Sequence, residues 1–372
     1  MTSPSVSRRT ALKGLAGASA AAALGGCASL AKPDPNRIVL ENSKPGTRDW
    51  LLTNTRVDPA TKWRCPWIEG YCSHTRARAG DELSLFVSTN PASPFTVDIY
   101  RLGYYGGAGG RLMRSFEPIP GKPQPEPPVG AKRLRNCAWE PAVTFRIPAD
   151  WPSGVYLGKL TEQRTGLQSY VVFIVRDDRP AGLLFQCSDH TWQAYNRWPT
   201  QFALYDDGKD QWYWGGGVQV GFNRPYGRYC QIFDAPLSQG SGEFLLWEFP
   251  VAYWLEQHGY DVTYTSNSDM IDPAEFLRTK VFLSVGHDEY WDPRQYDNAL
   301  ASIQQGTTHL YLSGNAVMGL TPFQPSEDGR PNRVISREGV YGGVYGGLDE
   351  FFKYPFPREG PKANLQIGRA HV

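Results

Sequence analysis

Two rhythms of apolar residues meet at Asp177-Asp178-Arg179-Pro180, and no single kind of layer accommodates both. Before that point, short runs alternate apolar and polar residues between Pro and Gly turns, so residues 83–87, 95–100, 143–147, 154–160 and 170–175 are predicted strands. Their spacing predicts an antiparallel β-sandwich of Ig-like type over 38–178. After it, apolar strands at 182–187, 261–265, 281–285 and 309–314 alternate with helical stretches at 248–258 and 293–305, stopped by Gly259 and Gly306. Strand–helix–strand repetition predicts an α/β domain over 180–366 with a mainly parallel sheet, flavodoxin/glutamine-amidotransferase-like in arrangement. The expected fold class is therefore mixed. In such sheets ligands bind beyond the carboxyl ends of the strands.

A length of 372 residues suits two domains, and 41% hydrophobic with 20% charged residues is a globular composition. The formal net charge of +1 and the lack of a basic run argue against a nucleic-acid partner. Aromatics at 13% suit a β-rich core before they suit a glycan-facing surface.

The first residues are a targeting segment. Ser7-Arg8-Arg9-Thr10-Ala11-Leu12-Lys13 has the twin-arginine pattern, the Ala/Gly-rich stretch 14–23 is too short to span a membrane, and Leu24-Gly25-Gly26-Cys27 has the form of a lipobox. Residues 1–27 are expected to be a twin-arginine lipoprotein signal with Cys27 lipidated, and 28–37 a tether. The expected location is exported and membrane-anchored, periplasmic or at the cell surface. Beyond Cys27, five cysteines remain, and Cys65 with Cys72 is the pair close enough in sequence to form a bridge in an oxidising compartment. No CxxC motif is present, which argues against a Cys-rich zinc site.

Two loops carry unusual residues. Arg101-Leu102-Gly103-Tyr104-Tyr105-Gly106-Gly107 is either a hairpin turn or a wall lent to the neighbouring domain. Residues 188–243 read as one long loop containing Trp192-Gln193-Ala194-Tyr195-Asn196 and Arg224-Pro225-Tyr226, and a loop of that length in a compact domain is usually functional.

The strand at 281–285 runs into Gly286-His287-Asp288-Glu289-Tyr290-Trp291. A His and a carboxylate at i and i+2 face one side together, and serve as metal ligands or as an acid/base pair. The competing reading is a packed His beside an N-cap, since Asp292-Pro293 is a natural helix start. A G-x-S-x-G nucleophile elbow and an HExxH zinc motif are both absent.

Taken together, the sandwich, Trp192-Gln193-Ala194-Tyr195-Asn196, Arg224-Pro225-Tyr226 and Gly286-His287-Asp288-Glu289-Tyr290-Trp291 resemble the large (beta) subunit of N,N-dimethylformamidase. The resemblance is sharpest from 182 to 319. It implies a mononuclear ferric iron held by two tyrosines and a glutamate, with a nearby histidine, in a hydrolase of the amide carbon–nitrogen bond. Carried over, Glu289 is the carboxylate ligand, His287 the catalytic histidine, and Tyr195 and Tyr226 the phenolate ligands, with Tyr205, Tyr213, Tyr229 and Tyr290 as substitutes. Asp288, Asn196 and Trp192 support these groups, and Asn315 is a further lining residue. A small-molecule amide is the implied substrate, and a small partner subunit or a homo-oligomer accompanies it. The alternatives are a non-catalytic exported lipoprotein that binds glycan or a protein partner, and a hydrolase using zinc or no metal. Residues 367–372 fit no element and read as a non-native tail, so the natural protein is expected to continue past Gln366.

Overall fold

The computed structural model describes residues 37–209, 213, 215–227, 243–317 and 319–337. The expected leader with Cys27, the tether to residue 36, Tyr229, Cys230 and the tail at 367–372 lie outside them.

The first half is two antiparallel sheets closed on one core. A three-stranded sheet runs in the order Glu69–Cys72, Glu82–Ser88, Val143–Arg146. A five-stranded sheet runs Arg76–Ala77, Gln168–Val175, Gly154–Glu162, Phe95–Leu102, Gly110–Ile119, with only its first pair parallel. Alternation places Leu83, Leu85 and Val87 of one sheet against Val97, Ile99 and Phe173 of the other in a shared buried cluster. The five strands predicted in this half are all present; the long strand Gly110–Ile119 is an addition, being half-exposed and lacking a clear apolar face.

In the second half the strands Val262–Ser266, Ala181–Cys187, Thr279–His287 and Thr308–Gly314 form, in that order, a four-stranded sheet in which every pair is parallel. In chain order this is 2-1-3-4, so the direction of winding reverses between Ala181–Cys187 and Thr279–His287. One face packs on Pro273–Leu277 and Pro293–Gln304 through Phe276, Phe282, Tyr296, Ala299 and Ile303. On the other face, Phe185, Leu283 and Val285 pack with Phe244 and Leu255 of the helices Glu243–Trp247 and Phe249–Gln257, and with Leu102, Leu157 and Val172 of the sandwich. Burial on both faces explains why the strand is apolar at 281–283 and 285, with Ser284 alone polar.

Sandwich and sheet are thus joined by a core rather than by a linker. Within it the Arg101 guanidinium grips Glu256 at 2.8 and 3.0 Å, with both side chains fully buried. Tyr264 and Asn42 also donate to Glu256, and Ser153 O accepts from Arg101. The Gly/Tyr turn after Arg101 therefore does lean on the neighbouring domain, with Tyr104 edge-on to Tyr253 at 5.2 Å, but on the helix Phe249–Gln257.

Two expectations are corrected. The stretch 188–243 is not one loop: it opens with the helix Asp189–Tyr195 and includes the strand Val218–Gly221. That strand pairs with Val334–Arg337, itself paired with Phe323–Gln324, in a small antiparallel sheet too short to show as periodicity. Cys65 and Cys72 are not bridged to each other, because Cys65 faces the core shared by the two halves and Cys72 faces the interior of the sandwich.

The Arg101–Glu256 pair yields a stability prediction. Glu256→Ala leaves a buried guanidinium without its counter-charge and is expected to cost about 3–5 kcal/mol. Urea unfolding measures it, and an unchanged midpoint with unchanged slope would contradict the role given to this pair.

Candidate functional site

The carboxyl end of Thr279–His287 is shaped by its glycine. Gly286 has φ +80°, and a Cβ there would meet the Trp247 Cβ at 2.6 Å, so only glycine makes this turn beside the helix Glu243–Trp247. The next three side chains then alternate. Asp288 points back into the sheet, fully buried, where it accepts from Ser284 Oγ at 2.7 Å, Gln186 Nε2 at 2.5 Å and Asn267 Nδ2 at 3.2 Å. Burial pushes its pKa up to about 6, against the pull of those hydrogen bonds. His287 and Glu289 point the other way together.

The helix Asp189–Tyr195 fixes the same turn from the side. Thr191 Oγ1 accepts from the backbone N–H groups of Glu289 and Tyr290 at 3.0 and 3.1 Å. Asn267, just past Val262–Ser266, donates its N–H to Asp189 and accepts from the N–H of His190. Three strand ends are so bound into one unit. Asp292 caps Pro293–Gln304 by accepting from Arg294 N at 2.9 Å, so the helix start read from the sequence exists alongside the polar cluster.

Into this corner the last residue of the helix, Tyr195, brings its phenol. The Tyr195 hydroxyl lies 2.6 Å from Glu289 Oε2, 3.0 Å from His287 Nε2 and 2.9 Å from the Tyr205 hydroxyl. Tyr205 donates to Glu289 Oε1 at 3.0 Å, and Tyr290 donates to the Tyr205 hydroxyl at 2.6 Å. His287 Nε2 is also 3.0 Å from Glu289 Oε2, and its Nδ1 is 3.2 Å from Gly314 O. Three phenols, a carboxylate and an imidazole therefore converge. Burial first, then the negative charge of Glu289 and the neighbouring phenols, push Tyr195 and Tyr205 well above the ordinary phenol range. His287 goes up as well: burial pulls it down, but Glu289, the Gly314 carbonyl and Asp288 outweigh that pull. The His287 side chain is 19% exposed against 1% for Glu289, so the cluster is approached from the histidine side.

Of the residues singled out in the sequence, Tyr195, His287 and Glu289 come together, with Asp288 directly behind them. Tyr226 does not join this hydrogen-bonded group. It lies in the core shared by the two halves, beside Trp192 and Phe244, and its phenol is raised by burial and then by Glu243 and Asp189. Tyr205, weighed only as a substitute, is the phenol that meets Tyr195, and Tyr290, another substitute, meets Tyr205 in turn, while Tyr213 turns to Gly216 O at 3.0 Å. Asn196 clamps the following loop, donating to Pro225 O and accepting from the N–H groups of Trp198 and Gly227. Trp192 donates to the buried Glu248 at 2.7 Å. Asn315 follows the end of Thr308–Gly314 with φ +51°. Thr191 and Asn267 carried no motif; their work is visible only once strand ends lie side by side.

Residues 96–340 match the sequence profile of the family described as N,N-dimethylformamidase beta subunit-like, C-terminal, a span that takes in most of the five-stranded sheet and all of the parallel sheet. The chain belongs to that family. Dimethylformamidase-like hydrolases are thus its kin. No curated protein matches the chain. Among solved structures, the sulfur carrier protein SoxY from Chlorobium limicola f thiosulfatophilum is similar at 14% identity and a TM-score of 0.16, covering 29% of this chain and 76% of its own. A family 123 glycoside hydrolase from Clostridium perfringens is similar at 12% identity and a TM-score of 0.15, covering 35% of this chain and 28% of its own. Likenesses this slight carry no argument.

Two substitutions test how the turn is held. Gly286→Ala forces a side chain onto the Trp247 Cβ at a positive φ, and is expected to cost more than the ~1 kcal/mol of an ordinary strained position. Thr191→Val leaves two buried N–H groups without an acceptor, at about 1–3 kcal/mol. Thermal unfolding reads both, and wild-type midpoints in both variants would remove the account of the turn.

Proposed function

We propose that the chain is a dimethylformamidase-like, iron-dependent hydrolase of an amide carbon–nitrogen bond. One observation carries the reading: the Glu289 carboxylate accepts from the phenols of Tyr195 and Tyr205 with His287 Nε2 at its edge, at the carboxyl end of the strand where the sheet's winding reverses.

The donor set suits a hard, highly charged cation. Among the described residues no group of three His, Cys, Asp or Glu side chains is placed to hold a metal, so any site here has to recruit phenols. Phenolate and carboxylate oxygens are hard ligands, and a buried phenol pushed far above its usual pKa gives up its proton only to a strong positive charge. Tyr195, Tyr205 and Glu289 would hold the ion, with Tyr290 ordering Tyr205 from behind. A ferric ion there supplies Lewis acidity, polarising the amide carbonyl and acidifying a water.

The chain's own residues supply the rest. The contact of Nδ1 with Gly314 O fixes the ring of His287 and leaves Nε2 facing the cluster. His287 Nε2 is the atom that takes the proton of the attacking water and returns it to the departing amine nitrogen as the carbon–nitrogen bond breaks, giving a carboxylic acid and an amine. Glu289 sits close enough to steady the imidazolium between those transfers. Asp288 keeps the turn in register and touches no substrate.

The same proposal extends to the setting. The order of the two sandwich sheets, with Arg76–Ala77 added parallel to Gln168–Val175, supports an Ig-like topology for the first half. Arg8, Arg9 and Cys27 support export as a lipid-anchored protein, with a small-molecule amide as substrate.

Elemental analysis with a visible spectrum is the deciding measurement. About one iron per chain with a broad phenolate-to-iron band is expected; Glu289→Ala and Tyr205→Phe lose metal, while Tyr226→Phe retains it. His287→Ala is expected to keep iron and lose at least ~10²-fold in amide hydrolysis. Unchanged amidase activity in metal-free protein would overturn the mechanism.

A further inference from the structure

Away from the tyrosine cluster, a second cavity opens on the seam between sandwich and sheet. It has a volume of about 160 Å³ and is lined by His74, Thr75 and Arg76 on one side and Ser268, Arg330, Asn332 and Arg333 on the other. A water's share of the liquid is about 30 Å³, so the space takes a tetrahedral ion with some solvent.

Its charges do not cancel. Arg333 is only 4% exposed, and its Nε and Nη2 donate to Asn223 Oδ1, Phe222 O and Cys72 O, all uncharged. No carboxylate among the described residues forms an ion pair with Arg333. The carboxylates near the other two arginines are engaged. Asp269 holds Arg76 at 2.8 Å and Arg176 at 2.6 Å, and Asp328 holds Arg330 at 2.8 Å. Burial and then Arg330 press the Arg333 pKa down to about 10. His74 is lowered by burial and then by Arg333, Arg330 and Arg76, with Asp81 opposing, which places three cationic groups around the same ring. A buried guanidinium without counter-charge is costly unless something supplies one.

We infer that this cavity is a binding site for a phosphate-sized oxyanion, recognised by Arg333, Arg76 and Arg330 of its lining. Guanidinium forks match the oxygens of such an ion and form charge-assisted hydrogen bonds with it. The occupant is either the free ion or a phosphoryl group on a larger organic molecule, and the recognition chemistry is the same. The site is distinct from the tyrosine cluster. Asn267 nonetheless lies next to the lining residue Ser268 and bonds both Asp288 and the helix that carries Tyr195, so a bound ion braces the floor on which the cluster stands.

Calorimetric titration of the full chain with inorganic phosphate at fixed ionic strength tests the proposal without reference to amidase activity. Saturable binding at one site per chain is expected, with an upward shift of the unfolding midpoint as the site fills. Arg330 is partly exposed and only edges the cavity, so Arg330→Gln is expected to fold with a near wild-type midpoint and to bind about tenfold more weakly. Arg76→Gln is the second variant and is expected to weaken binding likewise. Glycerol 3-phosphate in parallel assigns the source: equal affinity points to the free ion, tighter binding to a phosphoryl group on an organic body. Absence of saturable binding by either ligand, or undiminished binding in both variants, would overturn the assignment.

Discussion

A carboxylate buried beyond the reach of water has to be satisfied from within, and Asp288 is where this molecule meets that demand. Ser284, Gln186 and Asn267 come from three adjacent strand ends, and each spends a side chain on it. Because consecutive residues of extended chain point to opposite sides, anchoring Asp288 inward turns His287 and Glu289 outward together. The two groups to which the proposed mechanism gives chemistry are thus aimed by a neighbour to which it gives none. Charged hydrogen bonds of this kind contribute about 1.5–3 kcal/mol apiece, enough to hold a short turn against thermal motion.

The second constraint is the shared core. A parallel sheet needs cover on both faces, and here one face is covered partly by another sheet. That arrangement brings the Arg101–Glu256 pair into the interior and makes the sandwich part of the foundation of the second half. It also creates the basic cavity, since His74–Arg76 and Arg330–Arg333 face each other only once both halves are folded.

Much of this could be read from residues alone. The change of rhythm at Asp177 gave the two halves; strands cover 281–285 and 309–314, the first buried from Phe282 to Val285 and the second at alternate residues, and a helix fills 293–304 of the expected 293–305. What periodicity could not reach was pairing at a distance. Tyr205 lies between short elements without apolar pattern, so nothing local distinguished it from Tyr226, whose Arg-Pro-Tyr setting looked the more specific. The Arg224 guanidinium beside Tyr226 turns out to bind backbone carbonyls of Gln193, Trp198, Phe202 and Gly221, which is a loop-fastening task. Thr191 was invisible for a similar reason: a threonine that receives two amides from a strand ninety-eight residues away leaves no trace in its own neighbourhood.

The 2-1-3-4 strand order carries a kinetic consequence. Ala181–Cys187 and Thr279–His287 are neighbours in space, yet the whole of the second strand and the helix bearing Tyr195 are threaded between them in the chain. Contacts of such long sequence separation form late, because the intervening chain must be ordered first. During synthesis Tyr195 and Tyr205 emerge well before the turn that gathers them. The polar corner therefore comes into being only when the sheet closes, and a nascent chain released before His287 has none of its geometry to offer.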